Sequence, residues 1–221
     1  MILNTRPSHQ STSLESQGTA VFSLPVFSIE PIDCHVRSVA CNHAIFVSAN
    51  AVDCFFVYAA MHANHIFAVG DATQQSLKNK GFFNTLIPDE FSSEGLLQMP
   101  LLQDVQGKSV SIVCGENTKP LLQETLIQRG AQVTQMVCYR RVPIDYDMTV
   151  IFPKLLNNPI DSVLTASYES LQQLMVLFKH PEHQAWLLNK KLYVMTEKMR
   201  EEAVKLGFGE VLVEIVHSPN Y

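Results

Sequence analysis

One strand-and-helix grammar is spelled out twice along this chain, in the same order, and that repeat limits the fold more than any other feature. A run of Val, Ile and Phe ending on a small or polar residue marks a buried parallel strand passing into a helix. Ala44-Ile-Phe-Val-Ser48, followed by the apolar Ala49–Val52, has this form. So has Ser162-Val-Leu-Thr-Ala-Ser167, followed by a helix with Leu171, Leu174 and Met175 on one face. A second pair runs from His65 through Gly70 to a stop at Gly81-Phe82, and from Lys191 through Thr196 to a stop at Gly207-Phe208. Glycine just past the last helical residue is the expected left-handed stop. A third, longer pair reads strand, helix, glycine, strand: Met1 to Pro31 with Gly18 and a strand over Ala20–Ile29, and Ser109 to Pro143 with Gly130 and a strand over Gln132–Val142. The offset in this pair is 112 residues at Gly18/Gly130 (130 − 18) and again at Val26/Cys138 (138 − 26).

Alternating strands and helices build parallel sheets covered by helices on both faces. The expectation is an α/β protein with two small parallel-sheet domains of related plan and a cleft between them. Its 221 residues suit two domains of roughly 100 residues each. Pro and Asp around Pro31–His35 and Pro143–Asp147 mark the crossings.

Composition removes several classes of function. A net charge of −5 offers no basic stripe for phosphates, which speaks against a nucleic-acid binder. No apolar run approaches the ~20 residues of a membrane span, and Met1-Ile-Leu-Asn-Thr-Arg-Pro lacks the basic-then-apolar order of an export signal. The five cysteines form no CxxC pair, and reduced thiols in a cytoplasmic protein are the expectation, with Cys114 and Cys138 buried in strands. His62/His65 and His180/His183 have HxxH spacing but no further ligands to complete a zinc site, so no metal is expected. There is no GxGxxG, GxxxxGK[ST] or GxSxG, hence no dinucleotide, triphosphate or nucleophile-elbow signature.

Ligands of open parallel sheets lie beyond the carboxyl ends of the strands, where helix N-termini present free N–H groups. Arg6, Ser48, Gly70, Gly115, Ser167 and Thr196 stand at those ends, and Ser92-Ser93-Glu94 opens another helix. Taken singly, each Ser or Thr needs no more than an N-cap role, worth about 1 kcal/mol. Taken as a set facing one cleft, they suit an anionic ligand. Tyr139, in Val137-Cys-Tyr-Arg-Arg-Val-Pro143, is the candidate acid, with the alternative of an amphipathic aromatic at a hinge.

These pieces in this order resemble the uroporphyrinogen-III synthase family over nearly the whole chain. The resemblance rests on Thr5-Arg6-Pro7, Leu24-Pro25-Val26, Ile29-Glu30-Pro31, Phe46-Val-Ser48-Ala-Asn-Ala51-Val52, Ala68-Val-Gly70-Asp-Ala-Thr73 and Ser93-Glu94-Gly95-Leu96-Leu97. It continues in Arg129-Gly130-Ala131, Tyr139-Arg140-Arg141-Val-Pro143, Ser167, Thr196-Glu197 and Leu206-Gly207-Phe208. It implies a bilobed enzyme of two α/β domains joined by two connecting strands, with 1–31 and 143–221 in a discontinuous first domain and 32–142 in a second, inserted one; the enzyme needs no cofactor and acts on hydroxymethylbilane, a linear tetrapyrrole with eight carboxylates. That substrate loses its hydroxyl, inverts its last ring through a spiro intermediate and closes. It further implies Tyr139 as the acid and Arg6, Ser48, Ala51, Gly70, Thr73, Ser93, Gly115, Ser167 and Thr196 as substrate-binding positions. The implied protein is a cytoplasmic monomer of the lyase class, receiving its unstable substrate by transient contact with the upstream enzyme. One departure is Lys119-Pro120, where the family often carries an arginine on the helix after Gly115. Two other readings stay open on sequence: a non-enzymatic two-lobed binder of a small anion, and an inactive relative of the family.

Overall fold

The structure, a computed structural model, describes residues 1–6 and 20–213. Pro7, the helix expected after it and Gly18 lie outside the described residues. The chain divides into two compact units, Met1–Ser28 with Val142–Tyr221, and Ile29–Arg141.

In the first unit β1 (Ile2–Asn4), β2 (Val21–Ser23), β9 (Ser162–Leu164), β10 (Lys191–Val194) and β11 (Val211–Val213) form one sheet in the order β11-β10-β9-β1-β2. Every pairing in it is parallel. Helices α6 (Met148–Leu156), α7 (Tyr168–Leu177), α8 (Pro181–Leu188) and α9 (Glu197–Lys205) belong to this unit. Its core gathers Leu3, Leu24, Val163, Leu171, Leu174, Phe178, Leu192 and Val194 from strand and helix faces.

The second unit holds β4 (Ser38–Phe46), β5 (Ala60–Ala68), β6 (Thr85–Leu86), β7 (Ser109–Gly115) and β8 (Gln132–Pro143), joined at one edge by β3 (Phe27–Pro31). The order is β3-β8-β7-β4-β5-β6, parallel from β8 to β6. Contacts Ser28–Val142, Glu30–Arg140 and Ile32–Cys138 step down β8 as they step up β3, so this edge pair runs antiparallel. The unit's helices are α1 (Ala49–Tyr58), α2 (Asp71–Asn79), α3 (Ser93–Gln98), α4 (Pro100–Gln103) and α5 (Leu121–Gln128). Two cores cover the sheet. One packs Phe46, Val52, Phe55 and Leu77 under α1 and α2; the other packs Ile45, Phe67, Leu96, Ile112 and Leu126.

The repeat is visible in both sheets, but the halves of the sequence are exchanged. Each unit takes its long strand–strand pair from one half of the chain and its Ser and Gly strands from the other. β2-β1-β9-β10-β11 and β8-β7-β4-β5-β6 are therefore one strand order, met from different starting points in the chain. The helix stops repeat as well. Gly81, Gly130 and Gly207 all have positive φ, and the residue after each donates its N–H five residues back: Phe82 to Leu77, Ala131 to Leu126, Phe208 to Ala203.

One expected strand is broken. Ala20–Ile29 is two strands: the N–H groups of Leu24 and Val26 still bond to the Asn4 and Thr5 carbonyls, Pro25 between them turns its N toward the open edge of the sheet, and the chain then passes into β3. β3 then leaves the first sheet and joins the second. Among the described residues no helix is long and apolar enough to cross a membrane.

Candidate functional site

In each sheet two neighbouring strands send their chains in opposite directions: β1 beside β9 in the first unit, β4 beside β7 in the second. Such a switch point opens a crevice at the carboxyl ends of the strands.

At the crevice of the second unit, Phe46 ends β4, and Ser48 takes extended backbone geometry (φ −167°, ψ 159°) to cap α1. Its oxygen accepts the Ala51 N–H at 3.1 Å. The same oxygen lies 3.1 Å from the phenolic oxygen of Tyr139, 91 residues away in sequence. Tyr139 sits on β8 opposite Gly115, the last residue of β7, at a register shift between Cys114 and Gly115. Only glycine fits there: a Cβ on Gly115 would stand 2.5 Å from Cζ of Tyr139, the carbon that bears the hydroxyl. The ring is 5% exposed.

The backbone behind the phenol is held from three sides. Glu116 N–H donates to the Tyr139 carbonyl at 2.9 Å. The neighbouring Cys138 thiol reaches the carbonyls of Ala51 and Cys114, each at 3.3 Å, tying β8 to α1 and β7 together. Burial raises the Cys138 thiol far above its ordinary range and the Cys114 thiol in the same direction, so both stay protonated small hydrophobes.

The other candidates of this unit lie further along the sheet. Gly70 caps α2 in extended geometry with the Phe91 ring against it, where a Cβ would stand 3.1 Å from the ring. Thr73, in the first turn of α2, is buried. Ala51 is fully buried, and its N–H is occupied by Ser48. At α3 the cap is Ser92, whose oxygen accepts the Gly95 N–H at 2.9 Å; Ser93 is the first helical residue. Gly115 precedes its helix by several residues, since α5 starts only at Leu121 after Pro120.

The first unit repeats the frame with different chemistry. Ser167 caps α7 and accepts the Ser170 N–H at 3.1 Å, but its hydroxyl partner is the Ser170 hydroxyl at 2.8 Å. The residue 112 before Tyr139 is Phe27 (139 − 27), an aromatic without a hydroxyl. Arg6 is 9% exposed, with Nε and its own N–H each 3.2 Å from Asn4 Oδ1. Beside it Thr5 donates to the Leu164 carbonyl at 2.9 Å, bridging β1 to β9. Thr196 caps α9 through the Met199 N–H at 3.3 Å.

The HxxH pairs go to different uses. His65 lies beside His43 across β4 and β5, ring centroids 5.2 Å apart, and His183 packs on Phe152 at 3.9 Å. Among the described residues no three His, Cys, Asp or Glu side chains group as metal ligands would.

The comparisons with known proteins agree with one another. The family model described as uroporphyrinogen-III synthase HemD matches residues 8–220. The uroporphyrinogen-III synthase of Salmonella typhimurium is 30% identical over 96% of this chain and 94% of its own length. That of Escherichia coli is 35% identical over 66% of this chain, a match that spans only 60% of the Escherichia coli protein. Among solved structures, the uroporphyrinogen-III synthetase of Helicobacter pylori superposes with a TM-score of 0.60 at 13% identity, over 98% of this chain and 93% of its own. A mutant uroporphyrinogen III synthase of Thermus thermophilus gives 0.57 at 15% identity with the same coverage. At such identities these two likenesses speak for the fold.

Proposed function

From the premise that the chain belongs to the uroporphyrinogen-III synthase family, we propose that it closes hydroxymethylbilane to uroporphyrinogen III, a lyase reaction of tetrapyrrole synthesis. Besides family membership, the observation that carries the reading is the phenol of Tyr139 held at a strand-end crevice by Ser48 and Gly115.

The open substrate also closes without enzyme, so the task is choice of geometry, and holding one folded conformer is catalysis by positioning. Tyr139 lends a proton to the departing hydroxyl, which leaves as water. The terminal carbon then bonds to the substituted position of the last ring, giving the spiro intermediate. Cleavage and re-closure invert that ring, and the proton shed by the closed macrocycle restores the phenol. Eight carboxylates need donors rather than cations, which lets a chain of net charge −5 bind a polyanion. The turns at Ser167 and Thr196, with Arg6, Gly70, Thr73 and Ser93, are the proposed holders in this scheme. The same reading takes the protein as a cytoplasmic monomer supplied by transient contact with the enzyme upstream.

The test is turnover of hydroxymethylbilane by wild-type protein and by Tyr139→Phe, with folding checked by circular dichroism. The reading expects the variant to lose on the order of 10²-fold in kcat while keeping its fold. Consumption by the wild type at only the spontaneous rate sinks the proposal.

A further inference from the structure

We propose that Ser48 is a positioning residue whose own proton points at the Tyr139 oxygen, leaving the phenolic proton free for the substrate. The inference rests on the reading of Tyr139 as the acid, and it reassigns Ser48 from holding a carboxylate to serving that acid.

Ser48 has one proton and two lone pairs. One lone pair is taken by the Ala51 N–H at 3.1 Å. The contact with Tyr139 at 3.1 Å can be made in either direction. If the phenol donated, Ser48 would accept twice and its own proton would have no partner among the described residues. If Ser48 donates, one hydroxyl serves both the cap and the phenol, and it is the phenolic proton that has no partner among the described residues and is left for a ligand. The N-terminus of α1, a helix of ten residues, favours the second arrangement. Its aligned N–H groups attract the Ser48 lone pairs and turn the proton outward. The phenol is then an acceptor from Ser48 and a donor to whatever occupies the crevice. As its proton leaves, the growing negative charge meets the Ser48 O–H, a hydrogen bond that strengthens with charge.

The rest of the frame serves the same end. Gly115 leaves room for the carbon bearing the hydroxyl, and Cys138 fixes the strand next to it on Ala51, in the turn that Ser48 caps. The first unit provides an internal contrast. There the equivalent cap Ser167 is joined to Ser170, and the residue 112 before Tyr139 is Phe27, which has no hydroxyl to offer. Capping alone thus has no need of a phenol, and the Ser–Tyr pair belongs to the second unit.

The experiment is a double-mutant cycle on the intact enzyme: Ser48→Ala, Tyr139→Phe and the pair, with Ser48→Thr as the conservative rescue. Ser48→Ala should lower kcat about tenfold, the fold-change of one net hydrogen bond, with KM changed less than about twofold. It should have no further effect in the Tyr139→Phe background, and Ser48→Thr should recover most of the loss. An equal loss in both backgrounds, or a loss confined to KM, overturns the proposal and leaves Tyr139 as the acid. Full activity in Tyr139→Phe overturns both. Neutron diffraction of the deuterated wild type is independent of turnover. Density for the Ser48 deuterium directed at the Tyr139 oxygen supports the arrangement, and a Tyr139 deuterium directed at Ser48 refutes it.

Discussion

Gly115→Ala probes the frame around Tyr139 with a single methyl group. Gly115 has no left-handed φ, so alanine meets no backbone strain and the cost is purely steric. The new Cβ would lie 2.5 Å from Cζ, 2.8 Å from Cε2 and 2.9 Å from Cε1 of Tyr139. Carbon atoms rest at about 3.5–4.0 Å, so the ring has to withdraw by roughly 1 Å. The ring is buried and its backbone is tied down, so it cannot withdraw freely. Overpacking of this kind costs about 1–3 kcal/mol. Withdrawal also carries the phenolic oxygen out of reach of Ser48, another ~1 kcal/mol. At roughly 2–4 °C per kcal/mol for a chain of this length, the combined ~2–4 kcal/mol should shift thermal denaturation down by roughly 4–16 °C. Turnover should fall on the order of 10²-fold through loss of the aligned acid. Gly209→Ala is the control: no atom lies within 4 Å of its Cβ, and its melting temperature should stay within about 1 °C. A Gly115→Ala protein that melts with the wild type and turns over normally refutes the reasoning, because the ring would then have had room all along.

Two further outcomes follow from burial. His43, 2% exposed, has its imidazole pushed below the usual range by burial, then by His65 and Lys108. The unfolded chain therefore takes the proton more readily than the folded one, and stability present above about pH 6.5 is lost as pH falls. Urea unfolding at pH 7.5 and pH 5.5 should show a smaller acid loss for His43→Leu than for wild type; equal losses would remove His43 as the cause. With an alkylating reagent and mass spectrometry, Cys34 and Cys41 should label in the native protein. Buried Cys54, Cys114 and Cys138, whose thiols burial raises, should label only after unfolding. Early labelling of Cys138 would show that the β7–β8 frame opens.

The repeat and the α/β class were legible because strand runs such as Ala44–Phe46 and stops such as Gly81 and Gly207 are local signals. Caps at Ser48, Ser167 and Thr196 were legible for the same reason. The exchange of halves has no local signal, since which strand lies beside β1 or β7 depends on pairing over more than 60 residues; only the family resemblance implied a discontinuous first domain. Pro25 marks a place where an edge strand can end, but the turn of β3 to the other sheet has no local signal. The purpose of Gly115 was hidden too. It reads as a strand end until Tyr139, brought across by β8, fills the space a side chain would take. Tyr139 and Ser48 each stand out in the sequence, yet nothing announces their contact across a separation of 91 residues. Ser92 rather than Ser93 caps α3, a one-residue ambiguity that two adjacent serines cannot resolve without backbone geometry.

Selecting how a linear tetrapyrrole closes is the activity proposed for this chain. Its most direct test is the isomer ratio formed from hydroxymethylbilane as enzyme concentration rises, read by chromatography of the oxidised products. The inverted type III isomer should replace type I until it is nearly the whole product. A ratio that stays at the type I outcome of the spontaneous reaction, at every enzyme concentration, would contradict it.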